Sequence, residues 1–265
     1  MIQKTSLALC AALFVSSAVH ADALDELFAP DISTPEEADK PFSMDAELGL
    51  ILTTGNTESS AFNGKLNAHQ ELESWSNDYI IEGFYKEDEV TVEVDGESTT
   101  EQQTTAQKIF MSGQGNYKLE NPNHRLFAFA SYEDDRFSGY AHQATIAAGW
   151  AQQLWKNANS SFSYSIGPGY SFAEKEDGES ANSVIVRGAM DYKWKISDTS
   201  TFRQLFSTEV GSDNTKSKSE TSVAARINGS LALKVALILN HNTDVDPGIE
   251  ELDTQTSVTL VYTFF

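Results

Sequence analysis

Cysteine is almost missing from this chain: Cys10 is the only one in 265 residues. Past that position a disulfide scaffold and a thiolate metal site are both excluded. The lack of thiols also suits a protein that crosses an oxidising compartment before it folds. Positive charge is scarce too, with 18 Lys and Arg against 39 Asp and Glu. Nucleic-acid binding requires a basic face, so that class of partner is excluded. Long hydrophobic runs are absent beyond the N-terminal segment, and mean hydropathy is −0.35. Helical membrane spans need about 20 apolar residues and are therefore excluded there. A β-barrel is not excluded, because only alternate residues of its strands meet lipid.

The N-terminal segment itself reads as a secretion signal. Lys4 supplies the positive start, residues 7–19 the apolar core, and Val19-His20-Ala21 a small-residue cleavage site before Asp22. The run is too short to span a bilayer. A lipoprotein is disfavoured, because Leu9 stands where a small residue should precede Cys10. Residues 1–21 are thus expected to be cleaved. Residues 22–41 are acidic, carry Pro30, Pro35 and Pro41, and read as a flexible periplasmic leader.

From Phe42 onward the hydrophobic period is two. Met44, Ala46, Leu48 and Leu50 share one face of the first segment, and Asp45, Glu47 and Gly49 share the other. Phe162, Tyr164 and Ile166 oppose Ser161, Ser163 and Ser165 in the same way. A soluble sandwich would show that alternation as well. The connections separate the two cases. Odd-numbered ones are polar or long (residues 54–58, 88–102, 134–140, 173–181, 211–219 and 244–252). Even-numbered ones are tight (73–77, 120–123, 156–159, 196–199 and 228–230). Long connections at one end, short at the other and an even strand count are the rule for outer-membrane barrels. The expectation is an all-β, antiparallel transmembrane β-barrel of about 12 strands over residues 42–265, with both termini periplasmic. Strands three and four can also extend as a hairpin over residues 89–97, which leaves the count open by two.

Aromatic residues give a second line. Trp75, Trp150, Trp155 and Trp194 all fall near the short-turn end, with Tyr85, Tyr132, Tyr170 and Phe172 near the other. Girdles of this kind mark the two interfaces of a lipid-embedded barrel. The chain closes on Val258–Phe264 followed by Phe265. Closure requires this last strand to pair with the first, with Leu48, Leu50, Val258 and Leu260 facing lipid.

The lumen should then be lined by both signs of charge: Asp45, Glu47, Lys65, Glu82, Lys86, Lys108, Arg187, Asp191, Lys193, Arg203, Arg226 and Lys234. Barrels of about eight strands are filled by side chains, and those of 16–18 leave an aqueous channel. Twelve falls between, so a salt-bridged plug and a narrow polar conduit both stay open. No cofactor is expected. The acidic connections at 174–179 and 244–251 lack the fixed spacing of a calcium loop, and diffuse divalent cations bridging lipopolysaccharide are the expectation there. His142, near Asp134 and Asp135, and His241, near Asp244 and Asp246, are the residues a rim hydrolase would use. Their spacing is not diagnostic and His142 shares parity with Ile146 and Trp150, so the chain is read as no enzyme.

Three segments resemble the YdiY-like family of salt-induced outer-membrane proteins, which carry a domain of unknown function. They are Leu52-Thr53-Thr54-Gly55-Asn56-Thr57-Glu58, Ser131-Tyr132-Glu133-Asp134-Asp135-Arg136-Phe137-Ser138-Gly139-Tyr140, and Leu260-Val261-Tyr262-Thr263-Phe264. The extra Phe265 departs from a single terminal aromatic. The resemblance implies a Gram-negative outer-membrane location and a link to salt or osmotic stress. The terminal aromatics, Phe264 with Phe265, resemble those of other outer-membrane barrels, which implies that they address the barrel-assembly machinery. A conducting lumen with an acidic rim would prefer cations.

Overall fold

A computed structural model describes residues 41–53, 59–94, 97–121, 123–136, 138, 140–212, 214–245 and 251–264, with only the backbone at 51–53, 91–94 and 97–98. The expected signal peptide, nearly all of the leader, and Phe265 lie outside the described residues. Twelve strands follow in order: β1 (Phe42–Thr53), β2 (Ser59–Glu71), β3 (Trp75–Val94), β4 (Glu97–Lys118), β5 (His124–Asp135), β6 (Tyr140–Lys156), β7 (Ser160–Lys175), β8 (Ser183–Ser197), β9 (Ser200–Gly211), β10 (Thr215–Arg226), β11 (Leu231–Asn242) and β12 (Leu252–Thr263). Each pairs antiparallel with its chain neighbours, and β1 pairs with β12, so the sheet is a closed barrel. At the seam Leu48 faces Leu260, and the register runs through Asp45 opposite Thr263.

Alternation fixes which face looks where. On β5, Arg125, Phe127 and Glu133 are buried while Leu126 and Tyr132 stand outside. Leu48, Leu50, Val258 and Leu260 are likewise exposed, at 58%, 66%, 54% and 46%. The buried apolar clusters are small, Ala232 with Val261 and Phe127 with Ala147 and Ala151. Polar side chains fill the inside and apolar ones coat the outside. That inverts a water-soluble protein, since contiguous apolar patches above a few hundred Å² are rare on soluble monomers. A 12-residue strand such as β1, tilted by about 40°, rises roughly 30 Å, enough to cover an apolar band of about 25 Å.

The short connections are closed by asparagine side chains. Asn157 Oδ1 accepts from the amides of Asn159 and Ser160 at 2.9 Å each, and Asn228 Oδ1 from those of Ser230 and Leu231 at 3.1 Å. The four tryptophans lie at this end as expected. Trp75 packs edge-on to Tyr117, and Trp155 stacks on Phe162 at 4.9 Å.

At the other end several segments expected as loops are strand. β3 and β4 run on to Val94 and Glu97 as one hairpin, the alternative left open over 89–97, and β10 begins at Thr215 inside the expected loop at 211–219. Residues 97–105 of β4 and 215–222 of β10 are Thr, Ser, Lys, Glu and Gln without an apolar face, whereas β3 keeps Val90, Val92 and Val94 on one parity. A strand polar on both parities lies outside lipid without being a loop. Above Asp88, which faces Ser59 on β2, the hairpin is a two-stranded ribbon. At its base Asp88 accepts hydrogen bonds from Lys86 and Thr105, both at 2.7 Å. These hold its carboxyl below the ordinary range.

A crease joins β6 to β7. The ladder passes from Ala147–Gly169 to Trp150–Ile166, and Pro168 between them has no N–H to give. The backbones approach so closely that a Cβ on Gly167 would sit 2.1 Å from the Ala148 carbonyl oxygen. One on Gly149 would sit 2.3 Å from that of Ile166. Only glycine fits here.

Candidate functional site: the lumen

Strand pairing sets up the charges before any long contact forms. Glu47 faces Lys65, and Lys65 faces Glu82, around three neighbouring strands. All three side chains point inward. The closed barrel then adds partners from the far wall.

β10 supplies most of them. Lys216 donates to Glu133 Oε1 of β5 at 2.6 Å and to Gln143 Oε1 of β6 at 3.0 Å. Lys218 reaches Glu82 of β3 at 3.2 Å. Glu220 receives Lys65 of β2 at 3.2 Å and Lys234 of β11 at 2.7 Å. Lys234 also holds Glu47 of β1 at 2.9 Å, and Lys108 of β4 completes Glu133 at 2.9 Å. β3 and β5 are each five strands from β10 round the barrel. These bonds therefore cross the lumen rather than run along its wall.

Each end has its own closure. At the long-loop end the Tyr140 hydroxyl donates to the Asp244 carbonyl at 2.8 Å, and Lys175 pairs with the Asp244 carboxylate at 3.1 Å. Tyr140 is 2% exposed. Asn214 Oδ1 accepts from the Thr243 and Asp244 amides at 3.0 and 3.2 Å. At the short-turn end His69 lies between Asp78 (2.7 Å) and Glu71 (3.2 Å), and Glu71 also meets Lys118. Between the closures remains a cavity of about 410 Å³.

The twelve sequence-predicted residues fall as follows. Glu47, Lys65, Glu82, Lys108 and Lys234 join the cross-lumen network. Asp45 accepts from Asn67 at 2.7 Å. Arg203 grips Asp191 with two hydrogen bonds, at 3.1 and 2.7 Å. Arg187 lies 3.6 Å above the Phe129 ring, and Lys193 is buried. Lys86 sits half-exposed at the base of the ribbon. Arg226, whose amide bonds the Thr199 carbonyl of a short turn, marks the short-turn mouth.

Sequence reading passed over Lys216, Lys218, Glu220, Glu133, Glu209 and Arg125. Two of these, Lys216 and Lys218, fell within the expected loop at 211–219. Carrying strand parity back from Glu220 through residues 218 and 216 would have found them. His142 stacks outside on Tyr132, with ring centroids 6.2 Å apart. His241 comes no nearer to Glu251 than 3.9 Å, and both are exposed. Among the described residues no group of three or more His, Cys, Asp or Glu is placed to hold a metal ion.

A family described as protein of unknown function, DUF481, matches residues 46–264. The uncharacterized protein YdiY of Escherichia coli (strain K12) is 25% identical over 249 residues, which cover 93% of this chain and 92% of the relative. Among solved structures, the NanC porin is similar at a TM-score of 0.49 and 10% identity, over 84% of this chain and 100% of that one. The COG4313 outer membrane channel from Pseudomonas putida F1 is similar at 0.45 and 7% identity, over 84% and 94%. Both are likenesses of barrel architecture alone.

Proposed function

The chain belongs to the DUF481 family, and from that footing we propose that it is a Gram-negative outer-membrane barrel with a narrow, normally occluded lumen. It is exported by a signal peptide cut after Ala21, has both termini in the periplasm, and acts as a restricted conduit or a passive envelope component. It is not an enzyme in this reading. One observation carries the proposal: a closed sheet whose outer face is largely apolar and whose inner face is polar. Such a surface needs lipid, and closure leaves no sheet edge unpaired within it.

The cross-lumen bonds argue for occlusion. Lys65, Lys108, Lys216, Lys218 and Lys234 point inward and meet carboxylates there, while the ribbon, the connections and the leader are rich in acid. If the barrel conducts, that rim draws cations to the outer mouth. Lipopolysaccharide and its bridging divalent cations are the partners this rim suits. The assembly machinery would read Phe264 and Phe265, and the tie to salt or osmotic stress follows the family resemblance. Planar-bilayer recording tests the conduit. Small cation-favouring steps that grow when Lys218 is changed to Gln are expected. No current from either protein would leave only the passive role. Recovery in the soluble periplasm, without heat-modifiable gel mobility, would overturn the membrane reading.

A further inference from the structure

Residues 215–222 of β10 are polar on both parities, yet they do not stand clear of the bilayer as the ribbon does. Their even positions face the lumen, where Lys216, Lys218 and Glu220 make the bonds described above. The odd positions, Ser217, Ser219 and Thr221, share the outward parity of Val223, which is 41% exposed. On β9 they meet Thr208, Phe206 and Gln204 in turn, and on β11 Leu239 and Leu237 lie against Ser219 and Thr221. Depth follows from the ladder. Trp194, at the short-turn aromatic end, pairs with Phe202. Gln204, Phe206 and Thr208 then stand about 5, 10 and 15 Å higher, at about 2.5 Å of rise per residue of tilted strand. This polar patch therefore lies within the apolar band of about 25 Å.

The patch is bonded within itself but not completed. The Thr221 hydroxyl donates to Gln204 Oε1 at 2.5 Å. Gln204 Nε2 donates to Ser219 Oγ at 3.0 Å and to the Leu205 carbonyl at 2.9 Å. The Thr208 and Ser217 hydroxyls share one hydrogen bond at 2.9 Å. Each hydroxyl carries one hydrogen. Among the described residues, that of Ser219 and one of the Thr208–Ser217 pair meet no acceptor. Hydrocarbon offers neither water nor lipid oxygen at this depth, so an acceptor has to come from protein. The aromatic belt has a gap on the same side. At the long-loop end Tyr85, Tyr132, Tyr170 and Phe172 all stand on β3–β7. On β8, β9 and β12 the exposed residues there are Val184, Val210 and Leu252, where a wall facing headgroups would carry Tyr or Trp.

We propose that the outer face of β9–β10 seats a second copy of this chain, in a dimer whose twofold axis runs along the membrane normal. Copies enter the membrane in one orientation, so this axis sets each residue near its counterpart at equal depth. The patch holds free O–H donors beside the open lone pairs of Gln204 Oε1 and the hydroxyls, and so complements itself. Gly188, level with Thr208, and the short Ser217 and Ser219 let the two walls approach, as small residues do between membrane helices. The inference rests on the membrane reading, whose failure shows separately as loss of heat-modifiable mobility.

Cysteine cross-linking in outer membranes of cells producing the full chain tests it, because the only native cysteine is Cys10 in the expected signal. With copper phenanthroline, Ser217→Cys or Ser219→Cys should give a band at twice the chain's mass. Ile146→Cys, at lipid parity on β6, should stay a monomer. In detergent, mass photometry of Gln204→Leu should show a dimer at least tenfold weaker than the parent, with heat-modifiable mobility kept. Assembled Ser217→Cys and Ser219→Cys proteins that both stay monomeric overturn the proposal, as does equal cross-linking at Ile146→Cys. A band at any mass other than twice the chain's assigns the face to another protein and overturns the second copy. A dimer as tight in Gln204→Leu as in the parent removes the polar patch as its basis. Should one cysteine variant fail to assemble, the other decides.

Discussion

The β10 wall and the β5–β8 wall of one lumen solve the same problem in opposite ways. On β10, Lys216, Lys218 and Glu220 are long, alternate in phase with the strand, and reach partners up to five strands away. On β6 and β7 many inward positions are Ala, Gly and Ser, and the longer side chains among them meet partners singly, Gln143 with Lys216, Thr145 with Glu209 and Lys175 with Asp244. The first wall closes the barrel against itself. The second leaves a hollow beside it, where Arg187 of β8 lies 3.6 Å over the Phe129 ring with a Glu209 carboxylate oxygen 3.6 Å from its Nε. Charge in this lumen is therefore tied across the barrel on one wall and packed against near neighbours on the other.

The largest effect should come from breaking the paired wall. Glu220→Gln removes the ion pair of Lys65 and one of the two that Lys234 makes, and should cost about 3 kcal/mol, read from urea unfolding of the lipid-embedded barrel. A loss below 1 kcal/mol would mean that water already screens the bridges, and the contrast between the walls would shrink to one of shape.

The crease comes next. Gly167→Ala must push the β6 and β7 backbones apart and should cost about 2 kcal/mol. Gly83→Ala, with nothing within 4 Å of the new Cβ, should be nearly neutral. Equal losses at the two sites would remove the close approach as the reason for the cost.

On the outer face Leu260→Arg should cost about 2 kcal/mol in lipid and less towards the interfaces. A neutral result would place the seam outside the apolar band.

The smallest change is expected on the ribbon. Glu101→Gln, where both strand edges face solvent, should stay within about 0.5 kcal/mol. A larger shift would show that the ribbon is bonded to something beyond the barrel.

Removing Phe264 and Phe265 should change this stability ranking little while lowering assembly in cells, measured as the heat-modifiable fraction in the outer membrane. Wild-type assembly would sink the address reading and leave the seam intact.

Much of the barrel was legible in order along the chain. Period two with Leu48, Leu50, Val258 and Leu260 on one parity fixed the lipid face, because a strand sends successive side chains to opposite sides. The twelve strands and the tryptophan end followed from turn chemistry and aromatic position. The ribbon was legible as the alternative hairpin over 89–97, and the start of β10 was not, because strand outside lipid loses the apolar signal by which strand was recognised. Parity could say that Lys65, Glu82, Lys218 and Glu220 point inward, and no local rule could say which of them meet. Residues 65 and 220 touch because closure and strand stagger bring β2 and β10 to the same height across the lumen. The sequence by itself determined faces, strands and signs of charge, since each depends on neighbours one or two residues away. Only the tertiary structure decided that the lysines of β10 meet carboxylates on β3 and β5, since that depends on the distance across a closed barrel.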